Sequence, residues 1–120
     1  MDWRGDLYGT DRMIYKTLTA VGVPIRMQGY RYMEAALRIM LQNEEAAYAI
    51  TKMVYMTIAE RYQSSPKQVE SAIRTAVKSA WHNGSPETQE QIFGYSRITK
   101  KKPCNSEFLL RVLAYLRLMR

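Results

Sequence analysis

IAERYQSSPKQVESAIRTAVKSAW, residues 58–81, divides into two amphipathic segments around a short polar turn. Together with the preceding residues, the first segment places Val54, Ile58, Ala59 and Tyr62 on one helical face. The second places Val69, Ala72, Ile73, Ala76, Val77 and Ala80 at the same three-and-four spacing. Between them, Ser65-Pro66-Lys67-Gln68 is a start signal. Ser65 can cap, Pro66 suits the first helical position, and Gln68 stands where a capping box closes. Small Ala59 and Ala72, with Val69, let the two helices cross closely. The spacing predicts a helix-turn-helix whose second helix, about residues 66–82, is shaped to enter a DNA major groove.

Lys67, Gln68, Glu70, Ser71, Arg74, Thr75 and Lys78 fall away from the apolar stripe, and 67, 71, 74 and 78 align along it. Arg can grip both acceptors of a guanine edge, Glu can accept from a cytosine amino group, and Lys and Ser can serve bases or phosphates. An ordinary solvated helix carries mixed charge too. Gln63 also stands where such turns often hold glycine. On this segment alone the two readings are nearly balanced.

The chain as a whole narrows them. At 120 residues, 47% hydrophobic and 24% charged, with ten Gly plus Pro, it reads as one globular domain. Its one cysteine excludes an intrachain disulfide, and with its one histidine it makes a metal site a poor expectation. No cofactor is expected. No apolar run reaches the roughly 18 residues of a membrane span, and MDWRGDLYG lacks the apolar core of a secretory signal. The expectation is a soluble, cytoplasmic protein without membrane contact.

Net charge is +7, and nearly all the excess lies after residue 94: Arg97, Lys100, Lys101, Lys102, Arg111, Arg117 and Arg120 face only Glu107. Alone, a Lys-Lys-Lys run is a solvated loop. Beside a reading helix it suits phosphate neutralisation.

Six helices are expected, with no strand-period segment, so the fold class is all-α. Thr10 can cap a first helix carrying Ile14, Leu18 and Val21, stopped by Gly22 and Pro24. A leader of residues 1–9 then precedes a domain spanning 10–120. Tyr30 to Gln42 forms the second helix, and Asn43-Glu44-Glu45 opens a third that runs unbroken to Tyr62. The reading helix follows, ending at Gly84 as a left-handed cap. Ser85-Pro86 starts a short fifth helix closed by Gly94, and Asn105-Ser106-Glu107 starts the last, with Phe108, Leu109, Val112, Leu113 and Leu116 inward. Met33, Met40, Met53 and Met56 read as core filler, and Tyr30, Tyr32, Tyr48 and Tyr55 as buried rings with hydroxyls at the edge.

GVPIRMQGYRYMEAAL, then ITKMVYMTIAERYQSSPKQVESAIRTAVKSAW, then FGY and KPCNSEF occur in that order. In these pieces the chain resembles the C-terminal effector domain of the stage-zero sporulation response regulator, over about residues 10–118. The resemblance implies a six-helix DNA-binding domain of a sporulation transcription factor. It further implies a short asymmetric site with a GTCGA-like core, often bound by two domains in tandem. Glu70 and Arg74 match family positions on the recognition helix, and the loop ending Lys102-Pro103 matches a segment near the DNA backbone. Asn105 and Ser106 match the start of the last helix, whose amides can hold a phosphate. Ser71 departs from the family pattern, standing where an arginine aimed at guanine is expected. Losing such a contact costs about 1–3 kcal/mol of discrimination, so the preferred site is shifted or relaxed, or Lys67 and Gln68 compensate. The family also carries a phosphorylatable receiver ahead of this domain. Here Asp2, Asp6 and Asp11 lack the setting that chemistry needs. The chain is either cut from a longer protein or a free-standing effector domain, and Met1 favours the second.

The expected function is therefore sequence-specific recognition of double-stranded DNA, with the loop 97–106 on phosphates and a second protomer joining through the last helix. The competing expectation is a protein-interaction module that has lost the reading function and binds a partner such as the full-length response regulator. An enzyme is not expected: His82 suits a helix C-terminus, Cys104 reads as an incidental thiol, and Glu44-Glu45 suit a helix start.

Overall fold

A computed structural model describes the backbone of residues 3–119 and the side chains of residues 9–50 and 52–119. Among the described residues the regular structure is entirely helical. It comprises α1 (Trp3–Val21), α2 (Gln28–Gln42), α3 (Met56–Arg61), α4 (Pro66–Asn83), α5 (Pro86–Phe93) and α6 (Asn105–Met119). None of these helices is long and apolar enough to cross a membrane.

Helix α4 is the central element, and its start follows the local signals. The Ser65 hydroxyl accepts from the Gln68 amide at 3.1 Å, and Pro66 occupies the first turn. The reciprocal arm of the expected capping box is absent. The Gln68 side chain instead receives the Ser64 hydroxyl at 2.8 Å. Val69, Ile73, Ala76, Val77 and Ala80 are fully buried, so the sequence stripe is the core stripe. Helix α2 crosses it at Gly29. A Cβ there would lie 2.3 Å from the Ala72 carbonyl oxygen and 2.6 Å from the Ala76 Cβ, so only glycine permits this approach. Phe108, Leu109, Val112, Leu113 and Leu116 of α6 close the core from another side, with Ile14, Leu18 and Val21 of α1.

Four residues, Tyr62 to Ser65, join α3 to α4, an arrangement compatible with the expected helix-turn-helix. The Ser64 amide returns to the Ala59 carbonyl at 2.8 Å and the Gln63 amide to Glu60 at 3.4 Å. These paired bonds form the Schellman closure of a helix, whose left-handed position is usually glycine. Here Gln63 takes it, at φ 52°.

Several expectations need correction. Helix α1 begins at Trp3, so Thr10 lies inside it and caps nothing. The unbroken third helix is instead a 3-10 turn (Glu44–Tyr48) and a π-helical turn (Ile50–Tyr55) leading into α3. Ile50, Val54 and Ile58 explain the widening, since all are buried and four residues apart. In an ordinary α-helix each such step swings about 40° off the core-facing line, and a π turn takes up that excess. Tyr48, at the end of the 3-10 turn, is 93% exposed and Met56 56%, with Met53 outward too, against the core roles expected of them. Tyr30, Tyr32, Tyr55, Met33 and Met40 are buried. Gly84 is extended (φ −76°), not left-handed. It is glycine because a Cβ would meet the carbonyl oxygens of Ala80 at 2.5 Å and Val21 at 2.6 Å. Gly22 and Gly94 hold positive φ, as expected of helix stops. Asp11 pairs with Arg38 at 2.6 Å, tying α1 to α2. The side chains of Asp2 and Asp6 lie outside the described residues.

Candidate nucleic-acid interface

Opposite its buried stripe, α4 presents Lys67, Gln68, Ser71, Arg74, Thr75 and Lys78, all exposed, with Glu70 half-buried beside them. The Arg74 guanidinium donates to the Glu70 carboxylate one turn earlier. Both side chains are substantially exposed, so this pair contributes at most about 1 kcal/mol. A bidentate guanine contact discriminates by about 1–3 kcal/mol. The pair can therefore hold Arg74 outward in the free protein and yield it to a base. The Thr75 hydroxyl donates back to the Ser71 carbonyl at 3.1 Å, leaving its oxygen able to accept.

The loop between α5 and α6 carries the lysines, and it is a built structure. The Thr99 and Lys100 amides both donate to the Ser96 carbonyl, at 3.0 and 2.9 Å. The Thr99 hydroxyl accepts from the Ser96 amide at 3.2 Å. The Trp81 indole N–H donates to the Lys100 carbonyl at 3.1 Å, and Arg97 Nε donates to the Gly84 carbonyl at 3.1 Å. Lys100 Nζ sits 4.8 Å over the Tyr95 ring. The Tyr95 hydroxyl donates to Glu107. Burial first, then the hydrogen bond to Glu107 and its charge, push that hydroxyl up to about 12, so it stays protonated as the donor. Lys78, Trp81, His82, Arg97, Lys100, Lys101 and Lys102 line a cleft of about 420 Å³.

Helix α6 starts against the first half of α4. Asn105 Nδ2 donates to the Glu70 carbonyl at 2.9 Å, so its amide is engaged in joining helices. Ser106 is exposed beside it. Tyr55, Glu70, Arg74, Lys102, Cys104, Asn105 and Ser106 line a second cleft of about 230 Å³. Burial raises the Tyr55 hydroxyl, while its bond to the Asn105 side chain pulls the other way. Lys102 borders both clefts, which makes them one continuous surface.

The structure thus gathers Arg74, Lys78 and the loop cations along one side, with Asn105 and Ser106 between them and Lys67 at the start of the same helix. Not all of the basic C-terminal excess belongs there. Arg117 donates to the Met40 carbonyl at 3.5 Å, at the end of α2. It stands twelve residues along α6 from Asn105, about 18 Å by helical rise. Arg120 lies outside the described residues. Sequence reasoning assigned no site role to Tyr55 or Gln89: a tyrosine read as a buried ring lines a cleft, and a glutamine in a short polar helix is fully buried. Neither carries a local signal. The family model described as the sporulation initiation factor Spo0A C terminal matches this chain over residues 14–116, which takes in every residue of both clefts.

Proposed function

The chain belongs to the family of Spo0A C-terminal domains, the DNA-binding part of a sporulation transcription factor, and from that premise we propose how it reads its site. Residues 66–82 of α4 enter the major groove of double-stranded DNA, with Arg74 and Glu70 facing base edges and Lys67, Gln68 and Ser71 beside them. The loop 97–106 and the start of α6 lie on flanking phosphates. The carrying observation is that Lys78 and Lys100, Lys101 and Lys102, from elements separated by α5, line one cleft with Arg97 and no acidic residue. Such a concentration of like charge disfavours itself unless a polyanion covers it.

Where family relatives are expected to place an arginine, Ser71 leaves room on the groove face, and Lys67, one turn earlier on the same helix, is a cation that can fill it. The preferred site is accordingly altered at the base that arginine would read. A second copy joins through the last helix, where Leu118 is 83% exposed and Met119 also projects. Two protomers on one duplex face would then sit about 10–10.5 base pairs apart.

The test is fluorescence anisotropy on duplexes carrying a GTCGA-core site, singly and in tandem, against a scrambled duplex at two salt concentrations. Salt-sensitive binding that prefers the core site is expected. Equal binding to every duplex would remove the specific-reader assignment in favour of a protein-interaction role.

A further inference from the structure

We propose that Gln89, which contacts no DNA itself, is a positioning residue that sets the register of the lysine loop against the reading helix. This rests on the reading of loop 97–106 as the phosphate-contacting segment.

Gln89 is 0% exposed. A primary amide in that environment is tolerated only where both ends are satisfied, and here each end takes a different element. Nε2 donates to the Trp81 carbonyl at 2.9 Å, one of the last carbonyls of α4, which have no partner inside the helix. Oε1 accepts from the Arg97 amide at 2.7 Å, at the entry to the basic loop. One side chain therefore clips the final turn of the reading helix to the loop. The Trp81 indole bond to the Lys100 carbonyl is a second clip from the same residue of α4, three residues further along the loop.

The charges say why clips are needed. Lys78 and the loop cations Arg97, Lys100, Lys101 and Lys102 crowd one cleft with no carboxylate among its lining residues. Mutual repulsion favours an open loop before DNA arrives. Neutral hydrogen bonds made from beneath can hold the loop without consuming the charge it presents. A loop held this way meets the phosphates already ordered, and the ordering entropy is not paid at binding. An unclipped loop would still carry its lysines, but fewer would reach the backbone together.

The test compares the wild-type chain with Gln89→Met, which keeps length and packing but lacks the amide. Trp81→Phe keeps an aromatic ring beside Phe93 and Tyr95 and removes only the second clip. It serves if Gln89→Met does not fold. Amide hydrogen exchange without DNA is read first. Exchange at Arg97 and Lys100 should accelerate at least tenfold in either variant while the α4 amides from Val69 to Val77 keep their protection. Unchanged exchange at the loop overturns the proposal. Anisotropy on the core-site duplex is then read across salt. The log–log salt slope should fall by about two in Gln89→Met, the equivalent of about two phosphate contacts, with the ratio of core-site to scrambled affinity kept within twofold. A merely structural role would lower the melting temperature and leave the slope intact, and that result overturns the proposal. Lys101→Ala separates the two levels. A lower slope in Lys101→Ala with none in Gln89→Met removes the positioning role alone. Unchanged slopes in both remove the phosphate reading on which it stands.

Discussion

The two halves of α4 face the same side of the molecule but are held there by different forces. The first half, Pro66 to Arg74, carries the side chains proposed to read bases and is fixed by shape. Its cap is made by Ser65, and its inner face meets α2 so closely that Gly29 has no room for a Cβ. The second half, Lys78 to Asn83, carries with its loop the charge proposed to face phosphates and is fixed by polar groups. Gln89, the Trp81 indole and the Gly84 carbonyl do that work. Close packing tolerates almost no added volume but ignores polarity. A buried hydrogen-bond clip tolerates a change of shape better than the loss of a donor. Substitutions should therefore separate the halves by what they break.

The largest effect is expected from Gly29→Ala. One methyl would overlap the Ala72 carbonyl and the Ala76 side chain, and backbone cannot move aside as a flexible side chain can. A loss of about 3 kcal/mol in unfolding free energy is expected, measurable by urea denaturation. Helix α4 would shift as a unit in whatever remains folded. A loss below about 1 kcal/mol would show that the α2–α4 crossing is looser than its geometry.

Arg74→Ala and Lys101→Ala probe the halves in function. Arg74→Ala should cost about 2 kcal/mol in preference for the core site over a scrambled duplex, with little change in thermal stability, because its partner Glu70 is exposed to water. Lys101→Ala should weaken all duplexes alike and lower the salt slope by about 0.9. Equal losses on core and scrambled DNA for Arg74→Ala would place it among the phosphate contacts and erase the functional contrast.

Asn105 braces the first half from outside, since its amide bonds the Glu70 carbonyl across from α6. That carbonyl keeps its own helical partner, so Asn105→Ala should cost only about 1 kcal/mol in stability, read by thermal melting. If it also lowered DNA discrimination, Asn105 would belong to the reading half as a support for Glu70.

The same contrast explains what was legible in the sequence. The cap of α4, its buried stripe and the Ser85-Pro86 start of α5 are local signals, and each lies where the residues predict. Gly84 was misread because its reason is the approach of Val21 and Ala80, not its own backbone angle. Gly29 went unremarked for the same cause, as its constraint comes from residues more than forty positions away. The π turn was hidden because spacing by four looks helical until one asks where a straight helix would carry it. Gln89 is the extreme case. Among Glu87, Thr88, Glu90 and Gln91 it looks solvated, and only the fold shows it buried between α4 and the basic loop. The charge of the basic loop was legible, but charge cannot show what holds a loop in place.

Gln63 offers the smallest and most discriminating change. It occupies the left-handed position closing α3, at φ 52°, where an L side chain costs about 1–2 kcal/mol. Gln63→Gly removes that strain but gives the unfolded chain more freedom to lose, about 0.5–1 kcal/mol. The balance should be a gain of about 0.5–1 kcal/mol, read as a raised urea midpoint with an unchanged slope. Its backbone bonds to Ala59 and Glu60 survive, because the Ser64 and Gln63 amides make them and no side chain takes part. If shape alone fixes the first half of α4, the glycine variant should keep its preference for the core site. A gain in stability accompanied by weaker discrimination would mean that the strained glutamine also sets the angle between α3 and α4. The first half would then depend on a conformational constraint in the turn as well as on its packing against α2.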